Sequence, residues 1–328
     1  MTGTTRDVVA LGNAIVDVLS HADEAFLEAQ GLAKGGMTLI DEDRARTLYA
    51  AMGAGVESSG GSAANTVVGV AALGGTAGFI GRVQADQLGE VFAHDIRAVG
   101  VDFPMPRPKP GKATARCLIN VTADAQRTMA TFLGAASDID PEDVDAAMVA
   151  GAKVTYLEGY LWDQPAAKDA IRKAADVARQ AGRQVAMSLS DAFCVDRHRD
   201  EFRALVEGPL DIVFANEAEI VSLCQTTDFD GALAAIRGKV RLAVLTRSEK
   251  GCVIVTPDAV HAVPAVAPSK LVDTTGAGDL FAAGFLFGLT QGRDVATCGR
   301  IGAIAAAEII SHYGARPEAD LKALIAGV

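Results

Sequence analysis

The sequence has few aromatic residues, few cysteines and a shortage of positive charge, and each shortage argues against a class of protein. The five cysteines lie far apart, with no Cys-x-x-Cys pair, which argues against a disulfide framework or a zinc site and favours a reducing compartment. The net charge of −11 argues against a surface for nucleic acid or anionic membranes. No apolar run is typical of a membrane span. We therefore expect a cytoplasmic protein whose partner is a small molecule.

The pattern along the 328 residues alternates short β-rich runs with longer helical stretches. The predicted strands lie at 8–12, 77–81, 154–158, 185–188, 212–215, 242–246 and 252–255. The predicted helices lie at 63–73, 87–99, 166–181, 218–224, 231–237, 277–289 and 294–311. This alternation indicates an α/β fold with a mostly parallel central sheet flanked by helices. The first strand lacks a following Gly-x-Gly-x-x-Gly, which disfavours a dinucleotide-dependent oxidoreductase.

Two regions interrupt this alternation. The second contains four prolines, then two runs that alternate like paired strands around a polar turn at 122–127. We expect one domain over residues 1–328, with a small, discontinuous β appendage from approximately 13–40 and 102–134. A pair of ordinary surface hairpins would give the same pattern.

The segment Asp-Thr-Thr-Gly-Ala-Gly-Asp at 273–279 precedes an apolar helix. The first N–H groups of a helix lack intrahelical acceptors, and the helix dipole adds positive charge there. Gly276, Ala277 and Gly278 would therefore form an anion hole for a phosphoryl group. Asp279 in the first turn would accept the proton of an attacking hydroxyl. A helix-capping Asp in a tight glycine turn is the alternative for this segment.

Two upstream turns carry residues suited to binding hydroxyl groups. Gly60, Gly61 and Asn65 belong to a turn that enters a helix, and Asn13 and Asp17 follow the first strand. Ligands of α/β proteins bind at the carboxyl ends of strands, so these side chains would meet there. Each residue taken alone is more typical of a turn or a helix cap.

Together these segments resemble those of the ribokinase (PfkB) family of carbohydrate and nucleoside kinases over nearly the whole chain. Gly-x-x-x-x-Asp-x-x-Gly at 81–89 and Asn-x-x-Glu at 216–219 add to the resemblance, and all four motifs occur in family order. The resemblance implies a Rossmann-like domain with a β-sheet lid and transfer of the ATP γ-phosphate to a primary alcohol. It assigns the base to Asp279 and the anion hole to residues 276–278. The residues that would bind the acceptor are Asn13, Asp17, Gly60, Gly61 and Asn65.

The resemblance also implies sites for ATP and cations. Asn216 and Glu219 would organise Mg²⁺ through water. Thr246 and Gly251 would contact ATP, although Ser248 stands where the family has a glycine. Arg127 would pair with phosphate as the lid closes. A potassium ion is common in this family, and the matching residues are Asp273, Thr275 and Gly314.

The lid region resembles the adenosine-kinase branch most, which implies phosphorylation of the 5′-hydroxyl of a nucleoside such as adenosine. The base would need a flat apolar slot, for which Met129 and Tyr160, with Trp162 and Phe103, are candidates. Phosphorylation of free ribose or fructose is the alternative of the same chemistry. A noncatalytic sugar- or nucleoside-binding regulator is a third, which the presence of Asp279 disfavours. A homodimer through an exposed lid strand is a further expectation.

Overall fold

The computed structural model describes residues 6–124 and 126–328. The strands, in chain order, are β1 (Arg6–Leu11), β2 (Ile15–His21), β3 (Met37–Leu39), β4 (Gly55–Gly60), β5 (Ala77–Ile80), β6 (Val101–Asp102), β7 (Ala115–Val121), β8 (Arg127–Phe132), β9 (Ala152–Glu158), β10 (Gln184–Ser188), β11 (Ile212–Asn216), β12 (Leu242–Thr246), β13 (Cys252–Val255) and β14 (Val260–Val263). The helices are α1 (Glu24–Ala29), α2 (Glu42–Ala51), α3 (Ser62–Ala72), α4 (Gln87–Ala98), α5 (Ala146–Ala150), α6 (Pro165–Gln180), α7 (Ala192–Val206), α8 (Glu217–Cys224), α9 (Phe229–Ile236), α10 (Ala277–Thr290), α11 (Val295–Ile309) and α12 (Leu321–Leu324).

The large sheet has nine strands within the described residues, in the order β14-β13-β12-β11-β10-β9-β1-β5-β6. Its pairs are parallel except at β12–β13 and β13–β14. Apolar side chains cover both faces, as the alternation in β1 illustrates: Val8 and Ala10 join one core cluster, and Val9 and Leu11 join the other. Helices α3, α10 and α11 contribute to the first cluster, and α6 to α9 contribute to the second. The predicted α/β class is confirmed.

A second, small sheet has the order β3-β8-β7-β2-β4. Strand β4 lies outside the predicted segments 13–40 and 102–134. The sequence did not predict it, because Gly-Val-Glu-Ser-Ser-Gly lacks the apolar alternation of a strand. The second predicted segment begins at Asp102, the last residue of β6, which pairs with β5 in the large sheet. The small sheet therefore draws on residues 15–60 and 115–132.

The sequence pattern also missed α7 and α2, whose charged residues interrupt the apolar periodicity.

The motif at 81–89 has a structural role: Asp86 caps α4 through the Gly89 N–H at 2.8 Å and accepts the Thr114 N–H at 2.8 Å. This contact fixes the chain where it enters β7. No helix among the described residues combines the length and apolarity needed to span a membrane.

Candidate active site

Asn13 and Glu158 meet at the carboxyl edge of the large sheet, because β1 and β9 are neighbouring parallel strands. The Asn13 Nδ2 donates to Glu158 Oε1 at 2.5 Å. The backbone N–H groups of Asn13 and Ala63 donate to Oε2 at 3.3 and 2.9 Å. Burial raises the pKa of Glu158 to about 7, although these hydrogen bonds oppose the rise. The sequence analysis missed Glu158 as a site residue, since its partners lie far away in the chain.

Gly60 and Gly61 allow the closest backbone approaches of the acceptor end of the site. A Cβ at Gly60 would lie 2.4 Å from Oδ2 of Asp17, and one at Gly61 would lie 2.2 Å from the Asn13 carbonyl oxygen. Gly61 also has a φ of 102°, which side-chain-bearing residues rarely adopt. The two predicted turns therefore pack directly against each other.

Asp279 lies in the first turn of α10 and is held by two side chains from the turn at α3. Ser62 Oγ donates to Oδ1 at 2.6 Å, and Asn65 Nδ2 donates to Oδ2 at 2.9 Å. Burial raises the pKa of Asp279, and the hydrogen bonds from Ser62 and Asn65 oppose that rise. The Asn65 Oδ1 is buried without a hydrogen-bond partner in the described chain, so it is free to accept a hydroxyl of a bound molecule. Ser62 is a further residue that the sequence analysis missed.

The N-terminus of α10 has the geometry of an anion site. Gly276 has a φ of 78°, and a Cβ there would lie 2.9 Å from the Ala315 Cβ. By contrast, a Cβ at Gly278 would have no atom within 4 Å. The Ala277 N–H donates to the Thr274 carbonyl at 3.2 Å, so it is already engaged within the turn. The open side of the turn at Gly278 is therefore the part best placed to receive an anion.

One face of the small sheet carries both polar and apolar side chains of the predicted acceptor site. Asp17 pairs with Cys117, Ile119 pairs with Met129, and residues two apart in a strand share a face. Met129 packs against Cys117 and Ile119, and Arg127 lies two residues before Met129 on the same face. Burial raises the pKa of Asp17 to about 6, while nearby arginines oppose the rise and Asp279 adds to it. Asp17 and Asp279 are thus near enough to interact electrostatically.

Arg127 connects this face to the loop before α10. Its Nη1 contacts the Asp273 carboxylate and donates to Thr275 Oγ1 at 2.9 Å. Asp273 also accepts the Thr275 N–H at 3.0 Å and the Gly314 N–H at 3.2 Å. Burial opposes ionisation here, but the hydrogen bonds from Thr275 and the Arg127 charge outweigh it and lower the pKa of Asp273.

This arrangement bears on two predictions for the same loop. The guanidinium neutralises the carboxylate that the resemblance assigns to potassium, so Asp273, Thr275 and Gly314 do not fit a monovalent cation in this conformation. Arg127 is likewise engaged by protein groups and would have to leave Asp273 to reach a phosphate.

The predicted nucleotide residues lie at the ends of β11 and β12, where Asn216 and Thr246 are register partners. Asn216 and Glu219 form a capping box at α8: the Asn216 N–H and Nδ2 donate to Glu219 at 2.9 and 2.5 Å, and the Glu219 N–H returns to Asn216 at 2.9 Å. Glu219 is only 4% exposed, and burial raises its pKa to about 7. The cap accounts for both residues locally, and each carboxylate oxygen keeps a lone pair for a water on Mg²⁺.

The turn after β12 preserves the conformation of a glycine loop. Ser248 has a φ of 50°, so it adopts the left-handed conformation that glycine favours at the position where the family has glycine. Gly251 has a φ of 83°, and a Cβ there would lie 2.1 Å from the Val263 carbonyl oxygen. Ser248 therefore adopts a left-handed conformation in this turn although it carries a side chain.

Two aromatic candidates for the base slot belong to the core instead. Trp162 is 1% exposed and packs against Phe202, and Phe103 packs between Phe79 and Phe92. A fully buried ring offers no face to a ligand, so these two residues do not line an open slot. Tyr160 is 39% exposed.

Comparison with known proteins places this geometry in a class. Residues 31–321 match the model of the pfkB family carbohydrate kinases. The structure of adenosine kinase from Sinorhizobium meliloti is 52% identical, with a TM-score of 0.89 and coverage of 97% of this chain and 98% of that one. A probable sugar kinase from Rhizobium etli CFN 42 is 51% identical, with a TM-score of 0.90 and coverage of 98% and 97%. Adenosine kinase of Saccharomyces cerevisiae is 28% identical over 94% of this chain and 96% of its own length.

A ribokinase-like α/β fold, with a carboxylate beside a glycine-rich helix start, defines a phosphotransferase with an alcohol group as acceptor. Within that class, the chain belongs to the pfkB family of carbohydrate kinases.

Proposed function

We propose that the protein transfers the γ-phosphoryl group of ATP to the 5′-hydroxyl of adenosine, giving AMP. The observation that carries this proposal is the face of the small sheet on which the half-buried Met129, supported from beneath by Cys117 and Ile119, lies near Asp17. A nucleoside needs hydroxyl-binding groups next to an apolar surface for its base, and this face offers both. The similarity to two adenosine kinases supports the same acceptor.

The roles of the residues follow from their contacts. Asp279 accepts the proton of the attacking hydroxyl, and Ser62 and Asn65 fix the direction of its carboxylate. The backbone N–H groups of Gly276 and Gly278 face the negative charge that develops on the transferred group, while the Ala277 N–H stays with the Thr274 carbonyl. Asn13, Asp17, Gly60, Gly61 and Asn65 position the ribose hydroxyls.

The nucleotide site in this proposal uses Asn216, Glu219, Thr246 and Gly251, at the carboxyl ends of β11 and β12. Mg²⁺, when bound with ATP, neutralises phosphate charge, and Glu219 would hold it through water. The small sheet would act as a lid that excludes water during transfer. The cytoplasmic location and a homodimer through the small sheet stay predictions.

The test is ATP consumption by the purified protein with Mg²⁺ against adenosine, guanosine, inosine, cytidine, ribose and fructose. We expect saturable turnover with a clear preference for adenosine. Preference for another nucleoside would keep the apolar face and change the base assigned to it. A preference for free ribose or fructose would overturn the nucleoside proposal.

Phosphorylation of a free sugar is the second candidate, and the similarity to the probable sugar kinase favours it. The same Asp279 and Asp17 would serve a sugar hydroxyl. The two candidates differ at Met129, because truncating it would weaken the binding of a nucleoside and leave that of a free sugar nearly unchanged. The Met129→Ala variant therefore distinguishes them even before the preferred base is known.

A further inference from the structure

Arg316, in the loop after α11, links three parts of the molecule around the acceptor end of the site. Its Nη2 contacts the Ser59 carbonyl oxygen and donates to Ser59 Oγ at 2.7 Å. Ser59 belongs to β4 of the small sheet, and its N–H and Oγ donate to Asp95 of α4 at 2.7 and 2.5 Å. No motif of the sequence pointed to Arg316.

The guanidinium nitrogens of Arg316 are shielded from water, but only Nη2 makes hydrogen bonds within the described chain. Within the described chain, Nε and Nη1 of Arg316 are buried and have no hydrogen-bond partner. Burying a charged group without partners is costly, so such a group is retained where its charge serves a purpose. Nearby charge is abundant, because Asp95, Asp17 and Asp279 all act on this guanidinium.

Three carboxylates act on Arg316 from three elements. Asp95 of α4 shares Ser59 with it, Asp17 of β2 lies against the neighbouring Gly60, and Asp279 of α10 interacts with it electrostatically. Four more titratable groups act on Asp17 and Asp279, among them the Cys117 thiol for Asp17 and the Tyr156 hydroxyl for Asp279. Arg127 of β8 also acts on Asp17, and Glu158 of β9 interacts with Asp279. Asp17 and Asp279 repel each other in a partly buried site. A fixed positive charge beside them offsets both the repulsion and the burial.

We propose that Arg316 is a positioning residue that keeps the carboxylates of Asp17 and Asp279 ionised while the acceptor is bound. Asp279 must be ionised to accept the hydroxyl proton, and Asp17 must be ionised to accept hydrogen bonds from the acceptor hydroxyls. Arg316 thereby extends the proposed mechanism, on which this inference rests. Burial raises the pKa values of both carboxyls and the Arg316 charge lowers them, which agrees with this role.

The experiment compares pH profiles of kcat/KM for Arg316→Met, which removes the charge, and Arg316→Lys, which keeps it. Without the charge the two carboxyls protonate at higher pH, so the acid limb should move upward by about one pH unit. The Arg316→Met variant should then lose about tenfold in kcat/KM below the limb for each of the two carboxyls, about a hundredfold together, and recover most of it at pH 9. The Arg316→Lys variant should keep the limb near its wild-type position. Arg300→Met, an exposed arginine of α11, is the control and should match the wild type.

A purely structural tether predicts a different result. Ser59→Ala removes the hydroxyl that accepts from Arg316 and donates to Asp95, but it keeps the Ser59 carbonyl contact and the charge. It should therefore loosen the link to β4 and weaken acceptor binding without moving the acid limb. An Arg316→Met profile that falls equally at every pH, or a Ser59→Ala limb that moves as far, would overturn the proposal. Thermal unfolding of each variant identifies any that fails to fold, and Arg316→Gln then replaces Arg316→Met.

The comparison also separates this inference from the proposed acceptor. All variants are measured with the acceptor that the wild type prefers. A wild-type preference for a free sugar would overturn adenosine as the acceptor, while the shift of the acid limb would still test Arg316.

Discussion

The Glu158→Gln substitution tests whether the buried charge of Glu158 lowers the stability of the folded protein while its hydrogen bonds hold Asn13 and Ala63 in place for the acceptor. Glu158 is 1% exposed, and burial raises its pKa from 4.5 to about 7, against the hydrogen bonds from Ala63 and Asn13. The folded protein therefore keeps this proton over a pH range in which the unfolded chain releases it. Stability is full below pH 4.5 and falls as the pH rises to about 7.

The magnitude follows from the two pKa values of Glu158. The gap between 4.5 and about 7 corresponds to roughly 3 kcal/mol of unfolding free energy. A glutamine carries no charge at any of these pH values. Its NH₂ group would, however, face one of the three N–H donors of Asn13 and Ala63, and the lost hydrogen bond would lower the unfolding free energy by about 1 kcal/mol. We therefore expect the variant to be more stable than the wild type by about 2 kcal/mol at pH 8.

The assay is urea unfolding of both proteins at pH 5.5 and pH 8, with kcat/KM for the acceptor measured in parallel. The stability difference should appear at pH 8 and be small or reversed at pH 5.5, because the wild-type carboxyl is mostly protonated there. The kcat/KM should fall about tenfold, since the Asn13 amide loses a charged acceptor. Glu90→Gln, an exposed residue of α4, should change neither quantity. A Glu158→Gln variant less stable than the wild type at pH 8 would refute the reasoning, because the hydrogen bonds would then outweigh the cost of burying the charge.

Three further outcomes follow from the contacts of the site. Asp279→Asn should lower kcat by about 10²- to 10⁴-fold while acceptor still binds by calorimetry, and retained turnover would remove this residue as the base. Gly60→Ala would force a Cβ to 2.4 Å from the Asp17 carboxylate, so KM for the acceptor should rise at least about tenfold, whereas the open Gly327→Ala should leave KM unchanged. Because Arg127 occupies the carboxylate assigned to potassium, wild-type rates should be equal in K⁺ and Na⁺, and only Arg127→Met should acquire stimulation by K⁺; strong K⁺ stimulation of the wild type would contradict this.

The features that the sequence predicted well are local ones. The α/β alternation identified every strand from β9 to β13 to within two residues at either end, because period-2 and period-3.6 patterns depend only on near neighbours. The glycine turns before α3 and α10 were visible for the same reason. Strand β4 escaped notice because glycine and serine carry no apolar alternation, and its place in the small sheet comes from pairing with β2.

The residues that complete the site were decided by tertiary contacts. Ser62 contacts Asp279 across 217 positions of the chain, and Arg316 contacts Ser59 across 257. No spacing rule connects residues so far apart. Proximity in the sequence can also mislead: Trp162 follows a site motif in the chain, yet its ring packs against Phe202 in the core.

The sequence by itself determined the fold class, the family resemblance and the carboxylate beside the glycine turn, because those depend on short segments with fixed conformational needs. Only the tertiary structure decided which charges face one another. Glu158 and Asp17 acquire raised pKa values, and Arg127 neutralises Asp273, because folding buries these groups together away from water.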